Sequence, residues 1–391
     1  MKVLWLAPHP IPNENGMHPA PWITTLANKL HERGVSLTIL TTGKKLKLPM
    51  TEFDLGTYKL IIIKVPSGYI DVVTFFSKRI DLISDYLRLN SNKFDLIHVH
   101  GTEQQYASSI IRVKKKGIHI PYVISIQGLL FKYKQFINDK LTIRRIMWEL
   151  GSLFEKNEIK KSNNFFCRTS WDMNAVRELN PDAKVYEVWE MLRSEFSQFA
   201  DINFSATDIL FSGGSNSLKG LDRALRTFDK FAKEHNSVLN VIGNCSWNYI
   251  ADIKSKYNLQ HLNSDNVKLH GLVDSAAIIQ IFKSSFCLYH PSLIDNSPNS
   301  VCEAQLFGLP VLASKVGGVG SLIQDGITGI LLPVEHSDDF LALDGLFKND
   351  TLRKSISKSA RLIALERHNN DSIVDNVISG YKDVINQKAN V

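Results

Sequence analysis

The stretch HPSLIDNSPNSVCEAQLFGLPVLASKVGG, His290–Gly318, reads as strand end, loop, helix, strand and turn. Ser297 suits a helix N-cap and Pro298 the first helical position, while Gly308 and then Pro310 stop the helix. A short apolar strand, Val311–Ala313, follows at once, and another, Cys287–His290, lies just ahead. Strand, helix and strand in that order form a crossover unit, which implies a parallel sheet. Two acids break the apolar pattern: Asp295 in the loop and Glu303 inside the helix. The expected helix start leaves N–H groups open at Asn299, Ser300 and Val301, which favour an anion. Glu303 stands about one turn further on, among Val301, Cys302, Ala304, Leu306 and Phe307. A carboxylate in such surroundings needs strong hydrogen-bond donors, and the vicinal hydroxyls of a ribose would supply two. Capping of nearby backbone or pairing with an arginine would satisfy it equally.

The same alternation runs through the chain. Expected strands are Val3–Ala7, Leu37–Thr41, Leu60–Val65, Leu96–His100, Val123–Ile126, Phe165–Arg168 and Val185–Val188. A second set is Ile209–Ser212, Leu239–Gly243, Val267–His270, Cys287–His290, Val311–Ala313 and Ile330–Leu332. Helices fall between them, as at Pro21–Arg33 before Gly34, and at Leu221–Glu234. Near-continuous apolar strands imply sheets covered on both faces. The fold class is α/β, with two doubly wound Rossmann-like domains expected to face each other across a deep cleft. The polar stretch Leu192–Ser205 marks the break, giving domains of 1–195 and 196–371. A last amphipathic helix, roughly Asp371–Asn386, can pack on either domain; placed at about 372–391, it is expected to fold back on the first.

At 391 residues, 44% hydrophobic and 22% charged, the chain reads as an ordinary soluble globular protein. Residues 1–200 carry 28 Lys+Arg against 19 Asp+Glu and the remainder 18 against 20, so the formal charge of +7 sits in the first half. That bias suits a polyanionic partner or an anionic membrane surface. Lys132, Lys134, Arg144 and Arg145 interleave with Phe131, Tyr133, Phe136 and Trp148, a mixture that fits a membrane interface or a core with cations on its wet face. Cys167, Cys245, Cys287 and Cys302 show no metal-site spacing and read as thiols of a reducing compartment. Pro8 comes too early for a signal peptide, and no apolar run is long enough to cross a bilayer. A cytoplasmic protein is expected, resting on the inner face of the plasma membrane where its acceptor requires it.

Polar residues recur at strand ends: Pro8–Gly16, His100-Gly101, Gln127-Gly128, Arg168, Gly213–Lys219, Asn244, His270-Gly271 and His290–Asn299. Ligands of parallel sheets bind there. The acid pair, Gly308-Leu309-Pro310-Val311, Gly317-Gly318 and GITGILLP (Gly326–Pro333) together resemble the signature of the retaining glycosyltransferases of family 4, enzymes of GT-B fold. FSGGSNSLKGLDRAL, Phe211–Leu225, resembles that family's Gly-Arg-x-x-x-x-Lys-Gly loop. Arg168-Thr-Ser-Trp-Asp followed by Glu190-Met-Leu-Arg193 resembles a branch of bacterial surface-polysaccharide transferases.

The resemblance implies that Glu303 binds the nucleotide ribose, that Asp295 binds hydroxyls of the donor sugar, and that Lys219 holds the diphosphate. Asp295 replaces a Glu and Gly214 the usual Arg, so one diphosphate cation is missing; Arg168 or Arg193 could compensate. Lys219 read alone is also compatible with a solvated surface lysine. Gly213, Gly214, Asn244, His270, Gly271, Pro298, Asn299, Ser300 and Val301 complete the expected donor site. Gly16 is the close-approach glycine of the first loop, or an ordinary turn residue. Gln127 stands where relatives often carry a His, and His100, Arg168, Glu190 and Arg193 are the other acceptor or cleft candidates; His100 is equally compatible with a structural role.

The implied reaction moves a sugar from a nucleotide-diphosphate sugar, UDP or GDP, to a lipid-linked or oligosaccharide acceptor in bacterial surface polysaccharide synthesis. No cofactor and no metal are expected, since no Asp-x-Asp motif is present to bridge a metal and a diphosphate. Nucleic acid is not an expected partner. The alternative is a degenerate nucleotide-sugar binder of the same fold. An oxidoreductase is disfavoured, because no G-x-G-x-x-G follows the first strand.

Overall fold

The computed structural model describes residues 1–12, 21–137, 142–198, 202–333 and 339–389. The chain divides into two compact units, Met1–Met191 with Asn369–Val391, and Leu192–His368. Arg193 therefore belongs to the second unit.

Among the described residues, the first unit holds eight strands: β1 (Lys2–Leu6), β2 (Ser36–Gly43), β3 (Met50–Asp54), β4 (Lys59–Lys64), β5 (Leu96–His100), β6 (Tyr122–Ser125), β7 (Asn164–Cys167) and β8 (Lys184–Glu187). Their order in the sheet is β3-β4-β2-β1-β5-β6-β7-β8. All neighbours run parallel except β3 and β4. β3 is missing from the expected strands because its five residues alternate between half-buried and exposed, with no apolar run. It forms through a tight turn: Leu55 N–H donates to Tyr58 O, and the Gly56 amide donates to Asp54 Oδ1. So short a connection permits only an antiparallel partner.

The second unit holds β9 (Asp208–Ser212), β10 (Leu239–Ile242), β11 (Val267–Gly271), β12 (Ser285–His290), β13 (Val311–Ser314) and β14 (Ile330–Leu332). The order is β11-β10-β9-β12-β13-β14, parallel throughout. Strand order reverses beside β1 in the first sheet and between β9 and β12 in the second. Those are the places where loops diverge and leave a crevice at the carboxyl ends.

The C-terminal helix Asn370–Ala389 packs on β5, β6 and the helix Pro21–Glu32 of the first unit. Tyr381 is its anchor: the hydroxyl accepts from Trp5 Nε1 at 3.0 Å and meets His98 Nδ1 at 2.6 Å. Gly380 lets the helix approach, because a Cβ there would lie 2.6 Å from the Phe166 ring. Among the described residues, no helix is long and apolar enough to cross a membrane.

Candidate functional site

In the second unit the acids are placed by glycines. Helix Asn299–Phe307 ends at Gly308 in the left-handed conformation, φ 91°. Its start differs from the expectation: Pro298 is the N-cap, and no side chain caps the helix. The Ser297 hydroxyl lies against Cys302 Sγ instead, at 3.8 Å. Val301 N–H is not open to a ligand either, since it donates to Pro298 O at 3.0 Å. The tight first turn thus uses one of the three amides expected to meet an anion.

Gly317 explains the Gly-Gly turn. At φ 52°, a Cβ there would collide with the Asp295 carbonyl. The next amide, Gly318 N–H, donates to that same carbonyl at 2.9 Å. Gly220, φ 76°, plays the matching part opposite, where a Cβ would collide with Pro291 O. Leu293 N–H donates to Leu218 O at 2.9 Å, joining the Lys219 loop to the Asp295 loop. Lys219, its stem packed over Gly213, reaches Asp295 Oδ2 at 2.6 Å despite 76 residues of separation.

His290, the last residue of β12, brings Nε2 to the same carboxylate at 3.2 Å. Burial alone would push the Asp295 carboxyl up, but Lys219 and His290 hold it well below the usual carboxylate range. Burial lowers the His290 imidazole, against Asp295, so it is neutral near pH 7. His290 escaped the list of expected site residues, although it opens the diagnostic stretch.

Glu303 is 6% exposed and takes a bidentate grip from Arg193, with Nε and Nη2 each at 2.8 Å. Arg193 also donates to Ser275 Oγ at 3.2 Å and lies 4.7 Å over the Phe196 ring. Burial raises the Glu303 pKa and Arg193 opposes the rise. Of the readings open for Glu303, the arginine-paired one is what the structure shows, and the partner is Arg193, itself a cleft candidate by sequence.

Gly214 shows why no arginine stands at its position. At φ 53°, a Cβ would collide with the Asn244 carbonyl. The Gly213 and Gly214 amides both donate to Ile242 O at 2.9 Å, and Asn244 O accepts from Ser215 N–H at 2.8 Å. Backbone fills the space where a side chain would begin. His270 Nε2 meets Asn240 Oδ1 at 2.8 Å, apart from Lys219, Asp295 and Glu303, and Gly271 O accepts from Gly243 N–H at 2.7 Å.

In the first unit, four candidates converge. Arg168 donates to Glu190 Oε2 at 2.7 Å, to Ile126 O at 3.1 Å and to Gln127 O at 2.6 Å. Burial pushes the Glu190 carboxyl up, against Arg168. The His100 ring stacks 4.4 Å from Trp5 and 3.8 Å from His98, and burial lowers its pKa to about 3. His100, Gln127, Arg168 and Glu190 line one cavity of about 30 Å³, room for roughly one water. Gly16 lies outside the described residues.

A cavity of about 890 Å³ opens in the same unit, at the carboxyl ends of β1, β2, β4 and β5. Lys44, Lys45, Arg79, Glu103 and Trp148 are among its lining residues, and among the described residues no expected site residue is. Nothing in the sequence links these positions, because they sit on separate strand-to-helix loops and helices. The basic stripe read near Phe131–Trp148 is largely neutralised: Lys132 pairs with Glu178, and Lys134 and Arg145 pair with Glu149. Among the described residues, one trio could hold a metal ion, Glu234, His235 and Asp344, and none of these is a site candidate.

Residues 193–363 match the family described as glycosyl transferases, group 1. A 41.2 kDa protein of the Klebsiella pneumoniae cps region is 25% identical over 262 residues, 64% of this chain and 68% of that protein. The UDP-Gal:alpha-D-GlcNAc-diphosphoundecaprenol alpha-1,3-galactosyltransferase of Escherichia coli is 23% identical over 337 residues, 78% of this chain and 80% of that enzyme. Sucrose-phosphate synthase from Thermosynechococcus elongatus superposes with a TM-score of 0.75 at 14% identity, covering 99% of each chain, and shows the GT-B fold. Residues 193–363 thus match the group 1 glycosyl transferase family, and the chain as a whole has the GT-B fold.

Proposed function

We propose that the chain is a retaining glycosyltransferase of family 4 type. It moves a sugar from a UDP- or GDP-sugar to a lipid-linked or oligosaccharide acceptor during bacterial surface polysaccharide synthesis, in the cytoplasm at the inner membrane face. The observation that carries this reading is the pair of partly buried ion pairs in the second unit, Lys219–Asp295 and Arg193–Glu303. Each acid is held by a cation that a nucleotide sugar can displace or share. The ribose hydroxyls take the place of Arg193 on Glu303. The diphosphate recruits Lys219, and Asp295, relieved of its lysine, accepts from sugar hydroxyls while neutral His290 keeps it oriented. The freed Arg193 is a candidate for the second diphosphate cation that Gly214 excludes.

In the reaction, the bond from the anomeric carbon to the diphosphate oxygen breaks, and the acceptor oxygen bonds to that carbon from the same face. The acceptor's proton passes to the departing phosphate oxygen, so no protein nucleophile is needed. Lys219 stabilises the charge that develops on the leaving group, the task a metal bridge would otherwise perform. The names of the Escherichia coli and Klebsiella pneumoniae relatives support a UDP-sugar donor, a lipid-diphosphate acceptor and a capsule-type setting.

The test is incubation with UDP- and GDP-sugars and a bacterial lipid-linked saccharide fraction, reading nucleotide release and the product anomer by NMR. Release with the donor's anomeric configuration kept is the expected result. Affinity without release would show a non-catalytic binder, and an inverted product would rule out retention.

A further inference from the structure

The large cavity of the first unit has both basic and apolar residues in its lining. Lys44 and Lys45 are exposed, and among the described residues neither forms an ion pair. Arg79, on the same lining, is buried and bonded to Gln104 Oε1 at 2.8 Å and to Asp71, and among the described residues its Nε has no partner. Gln105 Oε1, on the same lining, is likewise unpartnered. Glu103 is the acid of the lining; one of its oxygens accepts from Gly128 N–H at 2.9 Å, and burial raises its pKa. His9 is lowered by burial and carries little charge. The balance favours an anion with several acceptor oxygens.

The apolar part of the lining includes Phe76, Met147 and Trp148. Phe75 and Phe76 are consecutive residues in the left-handed region, φ 49° and 57°, a strained arrangement for aromatic side chains. The turn drives Phe76 into the cavity wall, 3% exposed, and turns Phe75 outward, 62% exposed. Tyr69 and Val73, on helix Gly68–Val73 just before this turn, are also exposed. That helix packs on helix Ile143–Lys161, which exposes Ile143 and Ile146. A Cβ at Gly68 would stand 3.8 Å from Lys44 Nζ and 3.9 Å from Met147 Cε, so cation and apolar strip meet at one rim. Apolar exposure on this scale beside unpaired lysines marks a surface that meets an amphiphile.

We propose that this cavity receives the phosphate or diphosphate head of a lipid-linked acceptor, gripped by Lys44, Lys45 and Arg79. The apolar chain then lies over Tyr69, Val73, Phe75, Ile143 and Ile146. The assignment rests on the transferase reading above and selects the lipid-linked acceptor over a free oligosaccharide.

The full chain is titrated calorimetrically with farnesyl diphosphate, farnesol and inorganic diphosphate, each below the concentration at which it self-associates. Farnesyl diphosphate is expected to bind at least tenfold more tightly than either fragment. Lys44→Glu with Lys45→Glu should weaken it at least tenfold, and Val73→Ser with Phe75→Ser should reduce it to the level of inorganic diphosphate. Equal affinity for farnesyl and inorganic diphosphate would overturn the amphiphile in favour of a soluble phosphate ester. Unchanged affinity in the double lysine variant would overturn the cavity itself. UDP and GDP titrated into the same variants should bind as in the parent, while Lys219→Ala should bind the nucleotide at least tenfold more weakly and keep farnesyl diphosphate. Nucleotide binding that survives Lys219→Ala would count against the donor assignment alone.

Discussion

Both units bury carboxylates near strand ends, but they treat the charge in opposite ways. In the second unit Asp295 meets Lys219 and His290, and its pKa is held well below normal although burial alone would raise it. In the first unit Glu155 and Glu158 meet hydroxyls and amides. Glu155 accepts from Thr102 Oγ1 and Phe131 N–H, and Glu158 from the amide and hydroxyl of Ser108. Among the described residues no cation faces them, and burial pushes both up to about 8. A buried acid keeps its charge where a cation shares the burial and gives it up where only neutral donors do. On the proposed function, the first arrangement is the one a charged ligand would exchange with, while the second holds helix Ile143–Lys161 to its neighbours.

The sharpest way to break this contrast is at the glycines that bring the cation to the acid. Gly317→Ala forces a Cβ into the Asp295 carbonyl at a positive φ, so we expect a loss of roughly 3 kcal/mol or more and no nucleotide binding. Thermal unfolding and nucleotide titration of the variant check this together. Glu303→Ala should fold and bind nucleotide at least tenfold more weakly, about 1.4 kcal/mol or more, as should Lys219→Ala; calorimetry reads both.

The neutral acids of the first unit give a pH signature. Their folded pKa lies above an unfolded value near 4.3, so their contribution is full below that value and is lost as the pH rises through about 8. Glu158→Gln should remove part of that loss, up to about 1.4 kcal/mol per pH unit in the titrating range. Denaturant unfolding at pH 5.5 and pH 8 should show the parent falling further than the variant. His100, lowered by burial to about 3, acts in the other direction: its contribution is present above about 6.5 and is lost as the pH falls toward 3. The smallest effect is expected at Gly380→Ala, where the added methyl presses on the Phe166 ring, for about 1 kcal/mol by overpacking. A shift in melting temperature without change in nucleotide affinity would confirm that this contact belongs to the first unit's core.

The second unit was the more legible of the two because its site is encoded locally. Asp295, Glu303, Gly308 and Gly317 fall within one strand-helix-strand unit, and Lys219-Gly220 within another, so spacing carries the geometry. Helix capping was less legible: Ser297 looks like a cap in sequence, yet the chain tightens into Pro298 and uses the Val301 amide. In the first unit the strands could be read from their apolar runs, and β3 could not, since a half-exposed edge has none. The large cavity was invisible because Lys44, Arg79, Glu103 and Trp148 come from four separated segments. Each looks like an ordinary surface or core residue in isolation. His100, Gln127, Arg168 and Glu190 were singled out individually, but that Arg168 ties three of them into one buried cluster is a long-range fact.

The most direct test is a crystal structure of the full chain with a nucleotide-diphosphate sugar, UDP- or GDP-linked according to which binds. The account predicts ribose hydroxyls on the Glu303 carboxylate with Arg193 displaced, and the diphosphate on Lys219. An intact Arg193–Glu303 pair with the nucleotide bound away from Lys219 and Asp295 would contradict it.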